Sequence, residues 1–231
     1  MKIGIIGAGQ IGGTLTRRLT ALGHDVSVAN SRGPETLKQL ASETGAHAVT
    51  VQEAARAGKV VVVTIPEGHV PDLPDGLFPE TGDDVVVVDT GNYYPRQRDG
   101  RIEDIEAGLP ESRWVERQLR HPVIKAFNNI RAQHLMETGK PAGAPGRIAL
   151  PVAGDDPVAK KVVLDLVEQL GFDGVDAGGL DESWRQQPGT PVYTTDRDAE
   201  GVRHGLAEAE HVRAPAFTGT AKSPGSFAHP V

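Results

Sequence analysis

Residues 1–32 read MKIGIIGAGQIGGTLTRRLTALGHDVSVANSR, and this stretch decides the fold. An apolar run, Lys2–Ile6, meets a glycine turn; a helical stretch follows, and a second apolar run, Asp25–Ala29, ends in a polar, basic triplet. Gly7, Gly9 and Gly12 form G-x-G-x-x-G where a buried strand must become a helix. Each glycine has its own task. Gly7 permits the tight turn, Gly9 lets the backbone approach a pyrophosphate with no Cβ in the way, and Gly12 lets the helix pack closely on the strand. A diphosphate would then meet free N–H groups at the helix N-terminus, where the macrodipole favours negative charge. The fingerprint is weak alone but specific in this strand–turn–helix–strand context.

The residues that discriminate between nucleotides end the second strand. A site for NAD usually places Asp or Glu there to hold the ribose 2′-hydroxyl. This chain has Asn30, Ser31 and Arg32 instead. No carboxylate repels a 2′-phosphate, and a hydroxyl with a guanidinium can bind one through charge-assisted hydrogen bonds, so the triplet predicts NADP(H). An ordinary solvated turn would suit Asn-Ser-Arg-Gly-Pro equally by composition.

Further along, 59–64 is a continuous β-branched run, as expected of a parallel strand covered on both faces. Asp83 and Asp84 lead into a fifth strand over 85–89, and 123–127 (VIKAF) is a sixth. Between strands, helices are expected over 34–43, over 51–57 with Thr50 as cap, and over 112–119 with Trp114, Val115 and Leu119 inward. Residues 93–108 show no period and read as a solvated excursion at the ligand edge, where loops of this length often act as lids. Open α/β sheets bind ligands beyond the C-terminal ends of their strands. That places Thr64, Ile65, Pro66 and Glu67 beside a ribose of the cofactor, unless the loop turns away, and Asn92 with Thr90 and Gly91 at the same edge. The last part continues as strand (147–153), helix (157–170), strand (172–176) and a helix over 196–210. The fold class is α/β, a Rossmann doubly wound, mainly parallel sheet with a smaller C-terminal α/β extension. The expected division is 1–128 for the nucleotide-binding domain, 129–212 for the extension and 213–231 for a tail. The tail, rich in Ala, Pro, Gly, Ser and Thr, is expected to be disordered or to lie on a partner.

Composition narrows the function classes. A chain of 231 residues can bury a substantial core, and a net charge of −7 with no basic face argues against a nucleic-acid partner. With no cysteine there is no disulfide framework and no thiolate ligand or nucleophile, which is compatible with a reducing, cytoplasmic location. No apolar stretch approaches membrane-spanning length, and the N-terminus reads as strand rather than signal peptide. The 8 histidines show no metal-ligand spacing, so no metal site is expected.

Three stretches, GAGQIGG with Asn30-Ser31-Arg32, VVVTIP (61–66) and VIKAFNNI (123–130), resemble the NADP oxidoreductases that use the deazaflavin coenzyme F420, with their dinucleotide-binding relatives and the cytosolic domain of STEAP-type metalloreductases. A weaker fourth is PVAGDD (151–156), and the resemblance runs to about Leu180. It implies hydride transfer between NADP(H) and a second planar ring, with F420 or a flavin as small-molecule co-substrate and no committed catalytic side chain. Gly9, Gln10 and Ile11 would wrap the pyrophosphate, Ser31 and Arg32 the 2′-phosphate, and Ile65, Pro66, Ala126 and Asn128 the nicotinamide end. Asn128 stands where the F420 enzymes often have His, and its amide would orient the carboxamide or the acceptor ring. The family's apolar C-terminal helix over the deazaflavin pocket is replaced here by Trp184-Arg185-Gln186-Gln187-Pro188 and a charged helix. Arg96, Arg98, Arg131 or Arg185 could serve the anionic F420 tail, or each could be an ordinary surface arginine. NADPH-dependent reduction of a flavin, imine or carbonyl compound, and NADPH sensing without turnover, are the alternatives. A homodimer in which the C-terminal third completes the acceptor pocket is expected, because those polar, Pro-Gly-rich segments need a surface to lie against.

Overall fold

The chain enters its sheet at the centre: β1 (Lys2–Ile6) pairs in parallel with β2 (Asp25–Ala29) on one side and with β4 (Val60–Val63) on the other. In this computed structural model, which describes residues 1–78 and 85–231, the strand order is β3-β2-β1-β4-β5-β6, with β3 at His47–Ala48, β5 at Val86–Asp89 and β6 at Val123–Lys125. Asp83 and Asp84 lie outside the described residues. Every pairing in this sheet is parallel, as the doubly wound class requires. The winding direction reverses between β1 and β4, which opens a crevice beyond their C-terminal ends.

Helix α1 (Gln10–Ala21) covers one face with Leu15 and Leu19. Beside it α2 (Lys38–Thr44) opens through a tight turn at Pro34–Leu37, and on the other face α3 (Val51–Ala55) opens with a Thr50–Glu53 capping box. On that same face α5 (Glu111–Leu119) buries Trp114, Val115 and Leu119. Before it, residues 93–108 are not a solvated excursion. Tyr93 is fully buried; its hydroxyl accepts from the Ile102 N–H and donates to Glu106 Oε1, both at 2.9 Å, which seats the short helix α4 (Glu103–Glu106). The Asp99 carboxylate gathers the N–H groups of Tyr94 (2.7 Å) and Gly68 (3.2 Å) around the turn Pro95–Asp99.

After β6 and α6 (Ala132–Glu137), strands β7 (Ala149–Val152) and β8 (Asp173–Asp176) form a second parallel pair, crossed by α7 (Pro157–Gln169). Lys125 and Ala153 exchange backbone hydrogen bonds at 2.8 and 3.0 Å, so the small sheet is stitched to β6. Val163, Leu166 and Val167 of α7 share one core with Leu15, Val86, Val88 and Ile124. Helix α8 (Ala199–Glu208) lies over the second sheet, capped by Asp198.

The tail packs on its own chain. Arg213 pairs with buried Glu111 at 2.9 Å, Gly219 N–H reaches Glu106 (2.7 Å), and Gly225 and Val231 N–H reach the Arg96 carbonyl (2.9 and 3.1 Å). Its composition leaves it unable to form a core alone, but it finds acceptors on the 93–108 segment. No helix among the described residues is long and apolar enough to cross a membrane.

Candidate functional site

The three fingerprint glycines have separable causes. Gly7 adopts φ 110°, and a Cβ there would stand 2.2 Å from the Thr64 carbonyl oxygen. At Gly12 a Cβ would be 1.9 Å from the Gly7 carbonyl oxygen, so close packing of α1 on the β1 turn excludes a side chain. Gly9 differs: a Cβ would meet no protein atom within 4 Å, and its φ of −73° suits any residue. Nothing in the protein demands glycine at this position. It opens α1, a helix of 12 residues with no side-chain cap and no acid in its first turn, so the first N–H groups and the dipole face outward unopposed.

These groups open onto a cleft of about 920 Å³ at the topological switch point. Gly9, Gln10 and Ile11 line it, with Thr64, Ile65 and Pro66 after β4, Gly91 and Asn92 after β5, and Asn128 after β6. Its far end is walled by Tyr94, Arg98, Arg131, Tyr193 and Phe227. Ala126 is wholly buried and sits behind the wall rather than on it. Asn30 turns its side chain onto its own loop, accepting from Arg32 N–H (2.9 Å) and donating to Thr36 Oγ1 (2.9 Å). It therefore shapes the turn, while Ser31 and Arg32 are exposed beyond the end of β2 and the Arg32 guanidinium has no partner among the described residues. Of the other arginines, Arg98 is engaged by Asp99 and the Asn92 carbonyl, Arg185 lies over Trp184, and Arg96 is not on the cleft wall. Arg131 lines the cleft with its side chain exposed.

Asn128 is 3% exposed and fully engaged. Its amide donates to Asn92 Oδ1 (3.1 Å) and to the Gln186 carbonyl (2.7 Å), and its Oδ1 accepts from Gln186 Nε2 (2.9 Å). Both amide hydrogens are committed inside the protein, although Asn128 also lines the cleft. Asn92 Nδ2 donates one hydrogen to the Asn128 carbonyl (2.9 Å) and keeps a second.

Beneath the cleft floor lies a buried charge cluster that sequence reading missed. Lys125 Nζ reaches Asp89 Oδ2 (2.9 Å) and the Gly91 carbonyl (2.7 Å), while Asp89 also accepts from Gly91 N–H and Ser112 Oγ. The pair thus fixes both sides of the Gly91 peptide. Burial opposes the Lys125 charge, but Asp89, Glu67 and Glu111 outweigh it and hold the ammonium above the usual lysine range. Glu67, fully buried with neither carboxyl oxygen hydrogen-bonded, is pushed well above the usual range by burial and then by Asp89. The signal was available: a lysine inside VIKAF, in a strand buried on both faces, requires an acid nearby. Among the described residues no cluster of three or more His, Cys, Asp or Glu could hold a metal ion.

Residues 2–93 match the family model described as NADP oxidoreductase, coenzyme F420-dependent. The protein YjhV of Escherichia coli strain K12 is 52% identical over 80 residues, covering 35% of this chain; the match spans about half, 51%, of that relative. The crystal structure of the hypothetical protein SMa0349 from Sinorhizobium meliloti is similar at a TM-score of 0.70 and 31% identity, over 84% of this chain and 93% of that one. A protein of Arthrobacter sp. FB24 described as an F420-dependent NADP reductase shares the fold at a TM-score of 0.63 and 22% identity, over 80% of this chain and 87% of that one. Fingerprint, switch-point cleft and these likenesses agree, and the chain belongs to the family of coenzyme F420-dependent NADP oxidoreductases.

Proposed function

We propose that the protein transfers hydride between NADP(H) and a second planar cofactor, with coenzyme F420 as the acceptor of first choice. The observation that carries this reading is Gly9: an open Cα with no protein neighbour, at an uncapped helix N-terminus on the wall of the switch-point cleft. That cradle fits a dinucleotide diphosphate. Gly9, Gln10 and Ile11 would hold it through backbone N–H groups, and Ser31 and Arg32 would hold the 2′-phosphate. Thr64, Ile65, Pro66 and the free Asn92 amide hydrogen would bound the nicotinamide end and fix its face. When bound, NADPH supplies a hydride, and the fold's task is to orient it and to exclude water.

A flavin, imine or carbonyl acceptor is the second reading. It is favoured by the cleft wall, which carries the hydroxyls of Tyr94 and Tyr193. Arg131, exposed on the cleft wall, is the cation available to an anionic acceptor tail. A homodimer and a cytoplasmic location complete the proposal; equilibrium sedimentation at micromolar concentration reads the first and cell fractionation the second.

The deciding experiment titrates the protein with NADPH and NADH, then adds F420 and follows the deazaflavin absorbance. NADPH should bind at least about tenfold more tightly than NADH, a difference of roughly 1.4 kcal/mol, and Arg32→Ala should erode that preference without weakening NADH. Equal affinities in the unaltered protein would remove the NADP assignment. Oxidation of NADPH by a flavin or imine but not by F420 would select the second reading.

A further inference from the structure

Among the described residues lining the cleft there is no Asp, Glu, His, Lys or Cys. Hydride addition to a conjugated acceptor leaves a negative charge on a nitrogen or oxygen, and that atom needs a proton. The groups on the wall able to give one are two phenols. Tyr94 and Tyr193, 99 positions apart in sequence, meet hydroxyl to hydroxyl. One hydroxyl donates to the other, which leaves a single O–H free to point elsewhere. These are 2 of only 3 tyrosines in the chain; the third, Tyr93, is buried away from the cleft with both its hydrogen-bonding roles filled.

The surroundings distinguish the two. Arg98 lies 5.3 Å from the centre of the Tyr94 ring and is clamped there by Asp99 and by the Asn92 carbonyl, so one guanidinium joins the nicotinamide side of the cleft to the phenol. Phe217 and Phe227 pack on Tyr94 at 6.1 and 5.6 Å, and Phe227, from the tail, also lines the cleft. We propose that Tyr94 donates the proton to the hydride acceptor, that Tyr193 and Arg98 are positioning residues stabilising its phenolate, and that the acceptor is a planar compound whose electrophilic carbon is conjugated to nitrogen or oxygen. This rests on the NADPH-dependent reading above.

In the balanced step the acceptor carbon would gain a hydride from NADPH, leaving NADP⁺, as its π bond breaks, either a C=N or C=O bond directly or a C=C bond conjugated to one, whose electrons then shift along the conjugation toward the heteroatom. The freed electron pair settles on the heteroatom, which takes the Tyr94 hydroxyl proton; water then reprotonates the phenolate. Burial raises both phenols. The Arg98 charge opposes that rise at both, and its guanidinium, held over the Tyr94 ring, stands ready to stabilise a phenolate there. The charged groups acting on Tyr94 are Arg98, Asp99 and Glu111.

The test has two arms. In the first, NADPH binding is followed by nicotinamide fluorescence, and its oxidation by F420 and by 1-pyrroline is followed by absorbance. Tyr94→Phe should keep NADPH affinity within about twofold and lose at least about 100-fold in hydride transfer, the range of a lost general acid. Tyr193→Phe should slow transfer less and move the alkaline limb of the pH profile upward, which a merely structural role would not do. The second arm needs no turnover: tyrosinate absorbance against pH should lose its first step in Tyr94→Phe and have it raised in Tyr193→Phe. Failure to bind NADPH would end the functional reading itself. Normal NADPH binding with unchanged transfer in Tyr94→Phe, or a first tyrosinate step that survives in that variant, would overturn the proton-donor assignment alone.

Discussion

The Asn128 amide donates to the Gln186 carbonyl at 2.7 Å, across 58 positions of sequence, and the Gln186 side chain returns the bond to Asn128 Oδ1 at 2.9 Å. Gln186 is wholly buried, so the last third of the chain is tied to the floor of the cleft through this exchange.

Asn128→Ala should therefore act first on stability. It removes three hydrogen bonds, two of them buried, and strands polar groups on Gln186 and Asn92; a cost of about 2 kcal/mol, or roughly 4–8 °C in melting temperature, is expected. Asn92→Ala, at a half-buried position on the wall, breaks two hydrogen bonds to Asn128 and should cost less stability than Asn128→Ala, but it should bind NADPH less tightly and transfer hydride more slowly. Thermal melts beside NADPH titrations of both variants check this. An Asn128→Ala protein with unchanged melting and impaired transfer would return Asn128 to direct ligand contact.

The glycine fingerprint predicts an opposite pair of outcomes. In Gly9→Ala the new methyl meets no protein atom, and the backbone angles already suit alanine, so stability should hold or rise by about 0.5 kcal/mol while NADP(H) affinity falls at least about tenfold. In Gly12→Ala the methyl would lie 1.9 Å from a carbonyl oxygen, and the protein should be strongly destabilised. If Gly9→Ala bound NADPH normally, the diphosphate cradle would lie elsewhere.

Local pattern made the frame legible: the β-branched runs that became β1, β4 and β5, the Thr50 cap, and Thr64, Ile65, Pro66 and Asn92 at the strand ends. What stayed hidden depends on contacts between distant segments, which no window of sequence contains. Tyr93 and Asp99 convert an aperiodic stretch into a packed one by satisfying its backbone, and Tyr193 and Phe227 reach the cleft from the last forty positions. Lys125 could have been read from its own strand, since a charge between β-branched neighbours must be paired. Beyond Leu180, Val192, Val202 and Leu206 are buried with Ala149 and Val175 of the second sheet, so that part of the chain belongs to the fold.

Glu67 gives a pH dependence with a defined sign. Its pKa in the folded state is raised well above the ordinary 4.5, with burial the first cause. As pH rises past the ordinary value the unfolded chain loses this proton while the folded protein keeps it. Stability attributable to Glu67 is thus fully present below that value and is lost as pH rises toward the raised one. Glu67→Gln removes the titration, so its melting temperature should exceed that of the unaltered protein at pH 8 and approach it near pH 4.5. Melting curves across that interval decide the matter; a gain that does not grow with pH would mean that Glu67 is ionised in place.

The tail's attachment rests on one buried pair, and its removal should expose the acceptor end of the cleft. Glu111 is wholly buried; its Oε2 accepts from Tyr93 N–H (3.2 Å) and its Oε1 from Arg213 Nη1 (2.9 Å). The Arg213 guanidinium also lies 5.2 Å from the centre of the Tyr93 ring. Arg213→Ala leaves an uncompensated carboxylate at the start of α5, a loss expected to cost about 3 kcal/mol. Glu111→Gln in the same chain should recover part of it, because the amide oxygen still accepts from Tyr93 without a charge to bury. Freed from this anchor, residues 214–231 retain contacts to Glu106, Arg96 and Tyr94 that are weaker and more exposed. Limited proteolysis should therefore cut the tail of Arg213→Ala much faster than that of the unaltered protein, and bound NADPH should slow the cutting less than an acceptor resting against Phe227 does. Equal cleavage rates in the two proteins would show that the Phe217 and Phe227 contacts, not the ion pair, hold the tail.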